Sequence, residues 1–166
     1  IRYVRTHAKE LGIDPRKIVA SGGSAGGHVA ACTGVIEGFD EDGENTAVSS
    51  KPSAMVLFNP VIDTTERGYG ANKLKGQEET LSPAHHVVKG IAPTIIFHGT
   101  ADTTVPFENV ERFCREMNEA NNECRLVPYE GMKHGFFNYT KEKDHKSFND
   151  TVRRTEEFLR KLGYLR

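Results

Sequence analysis

A serine surrounded by glycines is the stretch of this sequence best suited to chemistry. Ser24 lies in VASGGSAGGHVAA, between an apolar, strand-like segment and an alanine-rich, helix-like segment. The five residues from Gly22 to Gly26 match G-x-S-x-G, a pattern that holds a serine on a strained turn with its hydroxyl clear of the backbone. Because strand and helix converge at such a turn, the pattern requires very small residues at Gly22 and Gly26. It predicts that Ser24 is a nucleophile.

Two other interpretations of the glycine-rich turn carry less weight. Its glycine spacing does not fit the G-x-G-x-x-G pattern of dinucleotide-binding proteins, and no lysine follows it as in a phosphate-binding P-loop. A structural turn with an incidental serine stays open on this motif alone. The residues that would have to activate the serine therefore decide between the interpretations.

Three neighbours of Ser24 are predicted to take part in the same reaction. The backbone N–H of Ala25 lies at the start of the predicted helix, where it would point at an oxyanion formed on an attacked carbonyl group. Gly23 and His28 flank the turn and are predicted to contact the substrate.

A serine hydroxyl is a poor nucleophile unless a histidine accepts its proton and a carboxylate orients that histidine. Asp102 follows an apolar run in IIFHGTADTTVP, and His134 follows the next one in LVPYEGMKHGFF. The resulting order of serine, aspartate and histidine predicts a catalytic triad. Asp63, in LFNPVIDTT, also follows a strand-like run and is the second candidate for the acid. His98 closes a strand and is expected only to hydrogen-bond a neighbouring loop.

The composition favours a small molecule or a neutral polymer as the partner. The 166 residues suffice for one domain with a real core, with 37% hydrophobic and 27% charged residues and no long apolar run. Lys and Arg number 22 against 23 Asp and Glu, and the charges are interspersed. This balance argues against a nucleic-acid partner or an anionic membrane surface. It favours no particular cellular compartment.

The three cysteines, Cys32, Cys114 and Cys124, exclude a dense disulfide framework and do not have zinc-site spacing. A single Cys114–Cys124 bridge is conceivable, but we expect three separate thiols. The adjacent histidines His85 and His86 would diverge on a helix or a strand, so the sequence predicts no metal site there.

Strand-like and helix-like segments alternate along the chain. Helical spacing predicts helices over residues 1–11, 26–36, 107–120 and 148–162. Short apolar runs predict strands in KIVAS, AMVLFNP, PTIIFHG and CRLVPYEG. The last helix would turn Val152, Phe158 and Leu159 inward. This alternation is typical of a mostly parallel sheet with helices on both faces, and we predict a single α/β domain over residues 1–166.

Three motifs together, GGSAGGH, HGTADTTVP and GMKHGF, resemble the C-terminal part of an α/β-hydrolase. The chain is similar to the bacterial esterase and lipase group that includes hormone-sensitive-lipase-like carboxylesterases and acetyl-xylan or feruloyl-type esterases, and the likeness covers nearly the whole chain. The resemblance implies ester hydrolysis through an acyl-enzyme, with Ser24, Asp102 and His134 as the triad. It implies no cofactor and no metal, and a short-chain acyl group on an alcohol or an acetylated sugar as substrate.

Two other functions stay open at this point. Amide-bond hydrolases of the prolyl-oligopeptidase or arylformamidase type use the same triad and differ in their substrate pockets. A catalytically impaired hydrolase fragment that acts only in assembly would also keep these residues.

The resemblance also implies an element that the sequence lacks. The family places a second oxyanion donor on a glycine-rich HGGG-type turn upstream of the nucleophile, and no such motif occurs here. We therefore expect an N-terminally truncated domain, in which the strand KIVAS presents an unpaired edge. Such an edge favours pairing with a second copy of the chain, so homo-oligomerisation is predicted.

Overall fold

The computed structural model describes residues 1–139 and 145–166 as alternating strands and helices. The helices are α1 (Arg2–Thr6), α2 (Ala8–Leu11), α3 (Ala25–Val35), α4 (Ala71–Leu74), α5 (Phe107–Glu119) and α6 (Lys146–Lys161), with one 3₁₀ turn at Pro83–His85. The strands are β1 (Val19–Gly23), β2 (Ala54–Phe58), β3 (Thr94–Gly99) and β4 (Cys124–Tyr129). All four predicted strands are present, and α4 is a short helix that the sequence patterns do not predict.

The four strands form one parallel sheet in the order β1-β2-β3-β4. The register pairs Gly23 with Phe58 at the end of β1 and Gly99 with Tyr129 at the end of β3. Because all strands run the same way, their carboxyl ends and the loops that follow lie along one edge of the sheet. The predicted parallel α/β architecture is confirmed.

Helices cover both faces of the sheet, as predicted. On one face α3 and α5 pack against residues such as Met55, Leu57 and Ile96. On the other, α6 packs Phe158 against Val56, Ile95 and Phe97. The two central strands are therefore buried on both sides, which explains their continuous apolar runs.

Two helix predictions need correction. The helix predicted over 1–11 is divided at His7, whose φ of −95° and ψ of 16° leave the helical range. The His7 Nδ1 lies 2.8 Å from the carbonyl oxygen of Tyr3, at the point where the helix is interrupted. In α6, Val152 is 43% exposed rather than buried, because Thr151 and Phe158, seven residues apart, define the inward face.

The expectation of three separate thiols is wrong, since Cys114 and Cys124 form a disulfide. Helix α5 packs directly against β4, and this brings the two Cα atoms to 5.2 Å, within the range of disulfides. Spacing along the chain does not reveal such a contact. Cys32 is free, and burial raises the pKa of its thiol to about 11.

Strand β1 pairs with β2 on one side only within the described residues. Its predicted pairing with a second copy of the chain stays a prediction. None of the helices in the described ranges is long and apolar enough to cross a membrane.

Candidate active site

The candidate site lies where the strands end. The first residue after each of the first three strands donates its N–H to a carbonyl near the end of the next strand. These bonds join Ser24 to Phe58 (2.9 Å), Asn59 to Phe97 (2.8 Å) and Thr100 to Tyr129 (3.0 Å). The parallel ladder thus continues past the strands and fixes the start of each loop relative to its neighbour.

Ser24 occupies the turn between β1 and α3 with φ of 54° and ψ of −119°. A non-glycine residue at positive φ is strained, and such strain is held only where surrounding contacts determine it. Here the Ser24 N–H is bound to Phe58, and the Ser24 carbonyl oxygen accepts from the N–H of His28 at 3.0 Å. The predicted elbow geometry is present.

The close approach of strand and helix falls on Gly22 and Gly27 rather than on Gly22 and Gly26. A Cβ on Gly22 would lie 2.3 Å from the carbonyl carbon and oxygen of Gly26, and one on Gly27 would lie 2.9 Å from Pro60 Cβ. A Cβ on Gly26 would meet nothing within 4 Å. Gly26 thus takes part in the contact through its backbone carbonyl group and has room for a side chain, whereas Gly22 has none. The G-x-S-x-G pattern does not distinguish these two roles.

The structure brings Ser24, His134 and Asp102 together in one chain of hydrogen bonds. His134 Nε2 lies 2.9 Å from the Ser24 hydroxyl oxygen, and His134 Nδ1 lies 2.7 Å from Asp102 Oδ2. Since a carboxylate only accepts, Nδ1 carries the proton and Nε2 is free to accept the serine proton. The Asp102 side chain is fully buried and that of His134 is 25% exposed. This arrangement can deprotonate a serine hydroxyl as it attacks an electrophile.

Asp102 is held as an anion by several donors. Its Oδ1 accepts from the backbone N–H groups of Thr104 (2.9 Å) and Val105 (3.0 Å). Burial opposes ionisation of this carboxyl, but the hydrogen bonds from Val105, His134, Thr104 and Asn59 outweigh burial and lower its pKa below the usual value. Asp102 is therefore charged at neutral pH and supports a proton on His134 Nδ1.

The loops of the acid and the histidine touch at Gly99. A Cβ there would lie 2.1 Å from the carbonyl oxygen of Met132, and the Ala101 N–H donates to the same oxygen at 3.1 Å. The glycine in HGTAD thus permits the contact that places Asp102 beside His134.

A family model described as the prolyl oligopeptidase family matches residues 1–161. The chain belongs to the prolyl oligopeptidase family. Curated proteins similar to this chain include esterases. It is 30% identical to a probable isoprenylcysteine alpha-carbonyl methylesterase of Arabidopsis thaliana, with 81% of this chain and 33% of the relative covered. It is likewise 30% identical to an acetylxylan esterase of Xylanibacter ruminicola, with 81% of this chain and 29% of that protein covered.

Solved structures of a bacterial esterase match this member of the prolyl oligopeptidase family over 99% of its length. The apo form of Thermogutta terrifontis esterase 2 has a TM-score of 0.92 at 46% identity, and 63% of that chain is covered. The same enzyme phosphorylated by paraoxon has a TM-score of 0.91 at 47% identity, with 61% covered. The predicted resemblance to esterases of the α/β-hydrolase fold is confirmed. The chain spans about a third of the curated relatives and somewhat under two thirds of the esterase.

In this family member, the second acid candidate is engaged elsewhere. Asp63 is buried, and its Oδ2 accepts from Arg112 Nη2 on α5 at 2.5 Å. Its Oδ1 accepts from the N–H and hydroxyl of Thr65. Burial works against the charge of Asp63, yet the Thr65 and Arg112 contacts lower its pKa below the usual value. Asp63 therefore ties its loop to α5, whereas Asp102 contacts His134.

The predicted oxyanion donor and substrate contacts lie close to the nucleophile. Ala25 is the first residue of α3, so its N–H has no acceptor one turn earlier in the helix. His28 Nε2 lies 2.7 Å from the Leu81 carbonyl oxygen and borders a cavity of about 770 Å³ beside α3. Gly23 makes room for Phe137, whose ring would be 2.5 Å from a Cβ at that position.

Sequence reasoning did not identify Asn59 as a residue of this site. Asn59 is fully buried directly after β2, and its Nδ2 donates to Asp102 Oδ2 at 2.5 Å. The signal available was a polar residue at the end of a buried strand, in LFNP, one position before a proline. His98 was predicted to bond a neighbouring loop, and its Nε2 lies 3.0 Å from the carbonyl oxygen of Val105.

Proposed function

We propose that this chain hydrolyses small carboxylic esters through a covalent acyl-enzyme, with Ser24 as nucleophile, His134 as general base and acid, and Asp102 as the orienting carboxylate. The observation that carries the proposal is the continuous hydrogen-bonded path from the Ser24 hydroxyl through both His134 nitrogens to Asp102. The esterases among the relatives support the reaction class.

The proposed reaction has two halves. Ser24 Oγ forms a bond to the carbonyl carbon of the ester while its proton passes to His134 Nε2. His134 then returns this proton to the departing alkoxide oxygen, and the alcohol leaves the acyl group on Ser24. In the second half a water molecule gives a proton to His134, attacks the acyl carbon and releases the carboxylic acid, with the proton returned to Ser24.

The Ala25 N–H would stabilise the negative charge that develops on the carbonyl oxygen in each half. It lies at the amino end of α3, an eleven-residue helix, where unpaired N–H groups and the helix dipole favour an anion. A donor of this kind contributes about 2.7–4 kcal/mol of transition-state stabilisation in enzymes where it has been removed.

The proposed substrates carry short acyl groups, on a simple alcohol or an acetylated sugar. The Thermogutta terrifontis esterase has been described with propionate and with butyrate bound. One curated relative is an acetylxylan esterase. The cavity beside α3 is lined by His28 but not by Ser24 or His134, so the remainder of the substrate would have to extend past His28 to reach it.

Covalent labelling tests the proposal without assuming a substrate. We would treat the chain and its Ser24→Ala variant with a fluorophosphonate probe and measure intact masses. A single adduct that is lost in the variant is the expected result, since paraoxon has phosphorylated the Thermogutta terrifontis enzyme. Absence of an adduct on folded protein would contradict the proposal and favour a hydrolase fragment that acts only in assembly.

Amide hydrolysis is the second candidate, because the matching family model is described by a peptidase. The same triad cleaves amides when the substrate pocket presents them correctly. Turnover of p-nitrophenyl acetate and propionate, compared with aminoacyl p-nitroanilides and a formyl anilide, separates the two. Anilide turnover faster than ester turnover would replace the ester proposal.

A further inference from the structure

Asp102 Oδ2, the oxygen that faces His134, has a second side-chain donor of its own. Asn59 Nδ2 lies 2.5 Å from it, while His134 Nδ1 lies 2.7 Å away. Because a carboxylate only accepts hydrogen bonds, the Asn59 atom that faces it is the NH₂ group. The two donors therefore bind the same oxygen from two different loops, one after β2 and one after β4.

We propose that Asn59 is a positioning residue of the catalytic machinery: its side-chain amide holds Asp102 Oδ2 in the orientation that faces His134. The inference rests on the proposed function for the role of Asp102, and it adds a residue that neither the sequence motifs nor the comparisons identify.

The backbone conformation at Asn59 directs its side-chain amide toward Asp102. The Asn59 N–H is bound to the Phe97 carbonyl at 2.8 Å, and its φ of 40° lies in the left-handed region. Asparagine is among the few non-glycine residues that adopt this conformation. The result is a short side chain with little freedom, placed between the end of β2 and the acid loop.

Stability alone does not account for an asparagine at this position. Its Oδ1 is buried and has no hydrogen-bond partner within the described residues. An unsatisfied buried polar atom is destabilising, and glycine, which adopts the left-handed backbone without strain, would avoid it. The contact that distinguishes Asn59 from an apolar residue is its hydrogen bond to Asp102, a charge-assisted bond of the stronger class.

Asn59 and the backbone donors fix different parts of the carboxylate. Thr104 and Val105 hold Oδ1, so loss of Asn59 leaves Oδ2 with His134 as its main donor. One more titratable group faces the pair: His98, from the end of β3, has Nε2 3.3 Å from Oδ2. His98 is fully buried, and burial lowers its pKa, so it is neutral and its Nε2–H is directed mainly at Val105.

Asn59→Gly is the decisive variant, since glycine keeps the left-handed backbone without strain and removes the amide. We expect the Asp102 carboxyl to titrate at higher pH, because a donor that stabilises its charged form is lost. The side-chain ¹³C resonances of aspartate in labelled protein, assigned with Asp102→Asn, report this titration and do not depend on turnover. We also expect kcat/KM for p-nitrophenyl acetate to fall about 10- to 100-fold, with its acid limb moved to higher pH.

Asn122→Ala is the matched control. Asn122 is also a buried asparagine, and its side chain binds the backbone of Gly90, Ile91 and Val88 away from the site. This variant should lose stability while the Asp102 titration and the acid limb stay unchanged. A shift in Asn122→Ala as large as in Asn59→Gly would show that general loosening is responsible and would overturn the proposal.

The proposal also fails if folded Asn59→Gly, checked by far-UV circular dichroism, titrates at Asp102 as the wild type does. If Asn59→Gly does not fold, the Asp102 titration is measured in Asn59→Ser instead, since the serine side chain is too short to reach Oδ2. If the wild type hydrolyses no ester while Asp102 still shifts in Asn59→Gly, the Asn59 contact stands and the ester-hydrolase function fails. The titration and the turnover thus separate the two failures.

Discussion

Substitution by alanine is expected to have opposite effects on stability at two glycines near Ser24, Gly22 and Gly26. A Cβ on Gly22 would lie 2.3 Å from the Gly26 carbonyl group and 2.8 Å from the Gly27 nitrogen, all backbone atoms. Backbone atoms cannot rotate away as a side chain can, so Gly22→Ala must force β1 and the start of α3 apart. Overpacking of this kind typically costs about 1–3 kcal/mol, and contact with rigid backbone places Gly22→Ala near about 3 kcal/mol.

Gly26→Ala should act in the opposite direction. A Cβ there meets nothing within 4 Å, the residue lies inside α3, and its φ is not positive. Alanine in a helix is favoured over glycine by roughly 0.5–1 kcal/mol, so this variant should be at least as stable as the wild type. With a shift of about 2–4 °C per kcal/mol for a chain of this size, Gly22→Ala should melt roughly 6–12 °C lower.

Thermal unfolding of both variants, combined with the rate of fluorophosphonate labelling, tests this reasoning. Gly22→Ala should lose labelling together with stability, because moving α3 displaces Ser24 and the Ala25 N–H. Gly26→Ala should label at a rate close to that of the wild type. A Gly22→Ala variant as stable as the wild type, or equal losses in both variants, would refute the assignment of the close contact.

Three further outcomes follow from the contacts. Asp102→Asn should slow fluorophosphonate labelling by about 10³–10⁴-fold, whereas Asp63→Asn should label as the wild type does. Slow labelling of Asp63→Asn together with normal labelling of Asp102→Asn would show that Asp63 is the acid that orients His134. Burial raises the pKa of Asp150, but its hydrogen bonds outweigh burial and lower the pKa to about 2. Asp150→Asn should therefore reduce the urea midpoint at pH 7. That difference should vanish as pH falls from about 4 to about 2, since the stabilisation exists only while the carboxylate is charged. Reduction of the Cys114–Cys124 disulfide should cost about 2–3 kcal/mol in urea unfolding, and an unchanged midpoint in dithiothreitol would contradict it.

Local sequence patterns predicted the elements and the order of the three site residues because each depends on short-range chemistry. The apolar runs of β2 and β3 have no alternation, which indicates strands buried on both faces, and both faces are covered. Ser24, Asp102 and His134 each follow a segment predicted to be a strand, and parallel strands bring their carboxyl ends to one edge. The positions could therefore be inferred without knowing the sheet order.

Contacts between elements could not be inferred in this way. The Cys114–Cys124 disulfide depends on how closely α5 packs on β4, and spacing along the chain carries no information on that distance. Asn59 reads as a turn residue before proline, because its partner Asp102 is 43 residues away. The exposure of Val152 depends on the rotation of α6 about its axis, which Thr151 and Phe158 settle by burial.

The two candidate acids show why position after a strand is necessary but not sufficient. Both Asp63 and Asp102 follow strands, are buried, and have pKa values lowered by hydrogen bonds. Their partners differ: Arg112, on α5, neutralises Asp63, whereas the donors to Asp102 among the described residues are neutral amide groups and the imidazole of His134. The positive charge of a paired guanidinium offsets most of the negative charge of the carboxylate, so the pair stabilises an imidazolium only weakly. The uncompensated charge of Asp102, held by backbone N–H groups and Asn59, is therefore what makes it suited to support His134.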